Sequence, residues 1–588
     1  MIRPSELAKT PLILLTRLRL ALIRHEELTG IVFWAASIGF LGALASVAFR
    51  EGIRLLELVL TGRPGSLVLV ATLLPWWSRI LVPVFGGFAA GLIMHYGARA
   101  LQAGRTVGYM EAIVVGNGVI GARGTLVKSL SSLFTIASGG SIGREGSMVQ
   151  LAALIGSKLG GLAHAPVPRL RLMVACGGAA GIASAYNAPI AGALFVAEIV
   201  MGSIAMESFG PLLVASVTAN ATIHNFLGYG PVFHATAFQF VSNWELGVYA
   251  LLGVLLGHLA PPFLALLQWS KAQFTRLKWK PYATLPLGGL LVGAISVFVP
   301  QVWGNGYSTV SEILSGNLTG QMLLLILVAK VLSTASTVGS GAVGGVFTPT
   351  LFVGAAIGAT VGGVLHIAFP TVVSAGSAYA LVGMGGFLAA TTHAPLMSIL
   401  MIFEMTLDYQ VVLPLMLACV TAHYTAKVYR GGESIYYKAL SPDPEHPSDG
   451  NEDWRLRTIG ALVKPCTAVV RRGSSLRQVL NDLPRRPVQA VYVVNDDREL
   501  VAWADPHQLF DGVNSGRLSP SMDVESIANP VTLSLRADMA LGVALDVFLR
   551  VDALSLPVTS GQWQATLVGQ VSRHDLLLAV QDRMSTKH

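Results

Sequence analysis

Between Glu111 and Asp408 the sequence carries six acidic residues, Glu145, Glu198, Glu207, Glu245, Glu312 and Glu404, in a stretch otherwise dominated by Leu, Val, Ala and Gly. An ionised carboxylate in apolar surroundings costs several kcal/mol, so each of these needs a partner or a task. Such a stretch cannot be the inside of an ordinary soluble enzyme. The chain as a whole is 53% hydrophobic and 12% charged, with a mean hydropathy of +0.61, against about 25% charged residues in soluble domains. These proportions predict a polytopic, all-α membrane protein.

The apolar segments fall at about 31–49, 68–97, 112–137, 146–162, 171–202, 208–226, 245–269, 283–300, 320–339, 346–369, 378–390 and 394–429. Many are shorter than the ~20 residues a clean crossing needs, or are interrupted by Gly and Pro. Helix ends inside a bilayer are tolerated where protein buries them or where they line a wet cavity. Glycine pairs at Gly87-x-x-x-Gly91, Gly139-x-x-x-Gly143 and Gly156-x-x-x-Gly160 predict close helix approach. The basic residues Arg3, Lys9, Arg17, Arg19 and Arg24 precede the first span without a signal-peptide cleavage pattern. By the positive-inside rule they keep a basic N-terminal helix, residues 1–30, in the cytoplasm.

The apolar region is duplicated. Gly140-Ser-Ile-Gly143 leads into Ala-Leu-Ile-Gly156, and Gly341-Ala-Val-Gly344 leads into Ala-Ala-Ile-Gly358; Ala188-Pro189 and Ala394-Pro395 are each followed by a glutamate, Glu198 and Glu404. The offsets of these landmarks, 201 and 206 residues, divide residues 31–440 into repeats of roughly 31–230 and 240–440. Broken hydrophobic segments at matching places in two halves point to a midplane substrate site of a transport protein. Around Glu145 the glycines of Ser138–Ser147 let backbone N–H groups converge at a helix start, an arrangement suited to an anion. The alternative for Glu145 is a buried helix cap. For Glu198 and Glu404 a structural role, satisfying backbone or a partner, is expected, and His393 reads as a satisfied interior histidine.

A polar, Pro-rich linker at 441–455 ends the apolar region. Beyond it, residues 456–588 show two units of like order: an entry segment, a polar helix, a β-rich run (Gln489–Val494 and Ala553–Val558), a turn, and a closing helix near Pro506 and Arg573. Cys176, Cys419 and Cys466 have no metal-ligand or disulfide spacing and read as small apolar fillers. No metal site is expected. The net charge of +8 is not gathered into a basic run interleaved with aromatics, so no nucleic-acid partner is expected either. An enzyme is not expected, since no nucleophile and base stand in motif spacing.

Gly143-Arg-Glu-Gly146, Tyr186-Asn-Ala-Pro189, Gly344-Gly-Val-Phe-Thr-Pro349 and Phe403-Glu-Met-Thr406, in this order over residues 30–440, resemble the CLC family of chloride channels and chloride/proton antiporters, most closely its bacterial ClcB-like branch. The two C-terminal units resemble a tandem CBS pair. The resemblance implies a CLC-type inverted-repeat helical membrane domain followed by a small α/β domain. It further implies a homodimer in the bacterial inner membrane, with one pore per subunit and the CBS pair in the cytoplasm. It makes Glu145 the gate, a carboxylate that occupies an anion position and swings aside on protonation. It places the permeating anion, chloride or a related one, against Val107, Gly108, Arg144, Gly146, Val346, Phe347 and Tyr436. No cofactor is required. Within the CBS pair, Ser572 and Asp575 fit the Ser/Thr-x-x-Asp pattern for the ribose of an adenine nucleotide; the same spacing also makes a plain helix cap.

Two departures qualify the resemblance. Val107 stands where the family has an anion-coordinating serine, leaving coordination there to backbone amides such as that of Gly108. Ile199 stands where coupled antiporters carry an inner proton glutamate. The expectation is therefore a channel or weakly proton-coupled transporter. A coupled antiporter, a fluoride-selective exporter and, from a different class, a membrane-anchored nucleotide sensor remain as alternatives.

Overall fold

The structure, a computed structural model, describes residues 10–63, 65–100, 107–114, 116–202, 206–228, 232–233, 238, 242–428, 458–466, 468–483, 490–530, 534–537, 539, 541–550, 555–560, 566–576 and 579. The chain divides into two compact units, Met1–Pro442 and Asp443–His588.

The first unit is helical. Among the described residues, seven helices are long and apolar enough to cross a membrane: Gly30–Thr61, Trp76–Gly97, Glu245–Arg276, Pro281–Phe298, Gly320–Gly339, Phe347–Ala368 and Tyr409–Val428. The first is the apolar part of one continuous helix, Thr10–Thr61. The residues expected to lead into a first span at Ile31–Phe49 do so without a break, the helix running through Gly30. Ala35, Ile38, Ser46, Phe49 and Ile53 turn inward along it, at the spacing of one helix face. Elsewhere the expected segments are subdivided by their breakers. The expected segment 112–137 overlaps Tyr109–Val114 and Ala122–Ala137, and 171–202 overlaps Val167–Tyr186, Pro189–Leu194 and the π-turn Phe195–Val200.

The duplication is visible in the packing. Glu145–Leu162 lies against Val167–Tyr186 as Phe347–Ala368 lies against Gly376–Thr392, and Thr10–Thr61 lies against Met206–Leu227 as Glu245–Arg276 lies against Val412–Val428. Asn187 and His393 both end a helix in the left-handed conformation, at φ of 55° and 60°. Each is followed by an alanine and a proline that opens the next helix, a position where the missing N–H costs nothing. Glycine sets the closest contacts, as the spacing predicts. Gly87 and Gly91 meet the backbone of Pro281–Phe298, and Gly156 meets that of Met173. Gly139 and Gly143, by contrast, lie in a loop and not on a helix face. At Gly139, φ is +95° and any side chain would run into the Trp303 ring.

Glu198 and Glu404 link the halves reciprocally. Glu198 accepts from the amides of Leu396 (3.3 Å) and Met397 (2.8 Å), and Glu404 from those of Ile190 (2.9 Å) and Ala191 (2.8 Å). Each carboxylate caps the helix start of the opposite repeat, the structural role expected of both.

The second unit contains two similar α/β layers. In one, Val469–Arg471 pairs parallel with Val491–Val494 across the helix Leu476–Asp482; Leu500–Ala504 follows antiparallel, and Asn529–Pro530 adds an edge. In the other, Leu535–Arg536 pairs parallel with Ser555–Thr559 across Leu541–Arg550, and Leu567–Ser572 follows antiparallel. This is the repeated order read from the sequence.

Candidate anion-translocation site

The site is built where the two repeats' glycine loops meet. Gly143 and Gly345 exchange backbone hydrogen bonds of 2.7 and 2.8 Å, forming a single antiparallel bridge between the halves. One helix then starts at Glu145 and another at Phe347, so the orphan N–H groups of both first turns are brought to one place. Backbones this close leave no room for Cβ atoms. A methyl at Gly143 or Gly345 would overlap the Glu145 carboxylate itself, and one at Gly146 would press on Gly344 and Gly345 at 3.1 Å.

Glu145 is buried, 4% exposed. Its Oε1 accepts from the Thr348 amide at 3.2 Å and its Oε2 from the Thr348 hydroxyl at 3.2 Å. The Thr348 hydroxyl lies 3.1 Å from that of Tyr186. The carboxylate is thus held by neutral donors in the first turn of the opposite repeat's helix, with the positive end of that helix directed at it. No cation stands within ion-pair distance of it among the described residues. Phe347, 1% exposed, packs on Tyr186 with ring centroids 4.8 Å apart and gives the carboxylate apolar surroundings.

Arg144, half-buried, precedes Glu145 and lays its guanidinium over the Tyr307 ring at 5.5 Å. It lines a cavity of about 630 Å³ together with Arg50, Arg54, Glu57, Asn187, His224 and Tyr307. The loop on the far side of the glycines is fixed by Ser141, whose amide donates to Thr337 at 3.2 Å and whose hydroxyl is 3.0 Å from that of Thr334.

Of the residues expected at the anion, Glu145, Arg144, Gly146, Val346 and Phe347 come together here. Val107 and Gly108 reach the same helix by another route. Gln150, five residues beyond Glu145, donates to the Val107 carbonyl at 3.2 Å and accepts from the Tyr109 amide at 2.9 Å. Tyr436 lies outside the described residues. Ile199 sits half-buried in the π-turn Phe195–Val200 and offers no proton-carrying group. His393 caps its helix and meets the His423 ring at 5.5 Å. Sequence reading assigned no part to Thr348, Tyr186, Tyr307 or Gln150. Thr348 and Tyr186 lie inside quoted motifs, and the hydroxyl beside the helix-opening Phe347 was the available clue to Thr348; Tyr307 and Gln150 had none.

In the second unit the Ser572 hydroxyl accepts from the Asp575 amide at 3.0 Å, and the Asp575 carboxylate is paired with Lys464 at 2.8 Å. That pairing holds the Asp575 carboxyl below its ordinary value of 3.8. Asp505, at the end of the strand Leu500–Ala504 as Ser572 is at the end of Leu567–Ser572, accepts from the His507 amide at 2.9 Å and caps its own helix.

A duplicated helical membrane domain whose helix starts converge on one buried, neutral-donor site defines an ion-transport protein. The family described as voltage gated chloride channel matches residues 85–427. A putative chloride channel protein ClcB-like from Ralstonia nicotianae is 54% identical over 411 residues, 69% of this chain and 96% of that protein. A voltage-gated ClC-type chloride channel ClcB from Escherichia coli is 41% identical over 412 residues, 68% of this chain and 96% of that protein. Among solved structures, a slow cyanobacterial Cl-/H+ antiporter matches at TM-score 0.62 and 25% identity, over 70% of this chain and 97% of that one. A eukaryotic CLC transporter matches in fold at TM-score 0.61 and 19% identity, over 93% of this chain and 98% of that one. The chain belongs to the CLC family of chloride channels and transporters. It is an integral membrane protein for anion transport and not an enzyme, and the family's transport needs no cofactor.

Proposed function

We propose that the protein moves chloride through a pore gated by Glu145, as a channel or a weakly proton-coupled transporter. The observation that carries this reading is the setting of the Glu145 carboxylate. It lies between Gly143 and Gly345 and accepts from the Thr348 amide and hydroxyl, a position a halide could take with the same donors. Neutral donors suit a permeating ion, which must leave as readily as it enters. Protonation weakens the carboxylate's claim on those donors and frees the position. Val346, Phe347, Gly146, Gly108 and Tyr436 complete the path, with Arg144 at its mouth; at Val107 a side chain without a donor leaves coordination to the backbone.

Ile199 carries the uncoupled part of the reading. The test is the reversal potential of reconstituted protein in bilayers under a proton gradient. It is expected to stay at the chloride equilibrium value; a steady displacement from it would establish coupling and overturn this part. Chloride and fluoride efflux from liposomes, measured side by side, should favour chloride.

The domain roles belong to the same proposal: residues 31–440 form the transport domain, working as a homodimer in the bacterial inner membrane. Residues 456–588 form a cytoplasmic CBS pair that regulates it, joined by the 441–455 linker and, like the N-terminal helix of residues 1–30, on the cytoplasmic side. The repeated strand–helix–strand–strand order supports the CBS reading. Adenine-nucleotide binding at Ser572 and Asp575 would require Asp575 to exchange Lys464 for ribose hydroxyls, and titration of the purified protein with ATP tests it.

A further inference from the structure

The cavity of about 630 Å³ beside the gate has a wall unusually cationic for a membrane domain. Arg50 and Arg144 both line it. Their charges are close enough to repel each other, and Arg54 adds to the repulsion on Arg50. Neither Arg50 nor Arg144 has a carboxylate within ion-pair distance among the described residues. Arg144 keeps a buried Nε without a hydrogen-bond partner. Arg54 is different: it is exposed and pairs with Glu51 at 3.2 Å. The one acidic residue among those lining the cavity, Glu57, lies seven positions beyond Arg50 on the same helix, about 10 Å further along its axis. It does not neutralise the arginine pair. Tyr307 lines the same cavity and carries the Arg144 guanidinium over its ring at 5.5 Å. Opposite it, Asn187 and His224 are tied to each other at 2.7 Å and add polar wall.

Two half-buried guanidiniums without a carboxylate partner line this one cavity and lack the counter-charge that desolvated cations normally have. We propose that this cavity is an accessory anion site, distinct from the position Glu145 occupies, in which a partly hydrated inorganic anion such as chloride rests between Arg50 and Arg144 and is passed along Tyr307 to the gate. The site supplies the missing counter-charge and raises the local anion concentration at the pore. A guanidinium keeps its charge at any relevant pH, so capture at Arg50 is independent of the protonation that governs Glu145. The proposal rests on the reading of Glu145 as gate and adds Arg50, a residue outside every motif of the sequence, as a determinant of anion affinity.

The experiment is chloride efflux from liposomes as a function of chloride concentration, for the wild type, R50Q and R50K. Removing one charge a few ångströms from the anion is expected to raise the half-saturating concentration in R50Q by about three- to tenfold, with the maximal rate within about twofold; R50K, which keeps the charge, should restore most of the affinity. An unchanged half-saturation in folded R50Q overturns the site. Independently of any variant that fails to fold, sulfate should compete with chloride in the wild type, because a divalent oxyanion suits two guanidiniums better than chloride does; no competition at equal concentration also overturns it. The outcomes separate the two readings. A wild type without chloride flux refutes the proposed function, an E145Q variant with wild-type flux at every pH refutes the gate, and normal R50Q kinetics in a conducting protein refutes only the accessory site.

Discussion

Two carboxylate settings in the membrane domain use the same device and end differently. Glu198 and Glu404 each accept from two amides at the start of a helix in the opposite repeat. Glu145 also accepts from the first turn of an opposite-repeat helix, at Thr348. The first setting is symmetric, each glutamate having a counterpart. The second is not, because the first residue of the matching helix is Phe347. Where the repeats agree, the carboxylate is a clasp that closes backbone valences. Where they differ, one carboxylate remains without a counterpart, at the position proposed for a permeating ion.

The comparison can be broken at several points. E404A leaves the Ile190 and Ala191 amides without acceptors in a buried place and should destabilise the membrane domain by about 3 kcal/mol; thermal melting of the detergent-solubilised protein reads this, and E198A, at a half-buried position, should cost less. E145Q should leave the melting temperature nearly unchanged while removing the pH dependence of chloride flux, measured in liposomes between acid and neutral pH. If E145Q melts as E404A does, the two settings are alike and the gate is a clasp. G345A would place a methyl on the carboxylate and should displace it, so flux should come to resemble that of E145Q. T348V removes the hydroxyl donor and keeps the amide, a loss of about 1 kcal/mol that should shift the pH of half-maximal flux by less than about one unit.

The smallest effect lies in the second unit. The Lys464–Asp575 pair is largely exposed on its lysine side, and its contribution should stay below about 1 kcal/mol. Since the aspartate is held below its ordinary value of 3.8, this contribution is fully present above about pH 4 and disappears as pH falls through the lowered value. K464A should therefore reduce stability near neutrality and leave it unchanged at strongly acid pH, as seen in melts of the C-terminal transition. Added ATP that stabilises the wild type but not D575A would identify the nucleotide site.

Much of this was legible from residues alone. The duplicated Gly-Ser-Ile-Gly and Gly-Ala-Val-Gly leads, the Ala-Pro pairs and the spacing of Glu198 and Glu404 mark a repeat without any structure, because a repeated fold needs its breakers at repeated places. Low charge over the central region fixes the solvent as lipid, since burying more carboxylates would cost more than packing returns. Gly143 and Gly146 announce a close backbone approach around Glu145, because nothing larger fits. What lay beyond reading was the partner of each group. Thr348 is 203 positions from Glu145 and Arg50 is 94 from Arg144, and no local spacing encodes which distant helix start will face a carboxylate or which two arginines will share a cavity. Helix direction and packing angle decide that, and they are set by the sum of many glycine and alanine contacts between elements. The sequence by itself determined the solvent, the duplication and the rare carboxylate; the tertiary structure decided that Glu198 and Glu404 close on the opposite helices while Glu145 is left among donors an anion could share.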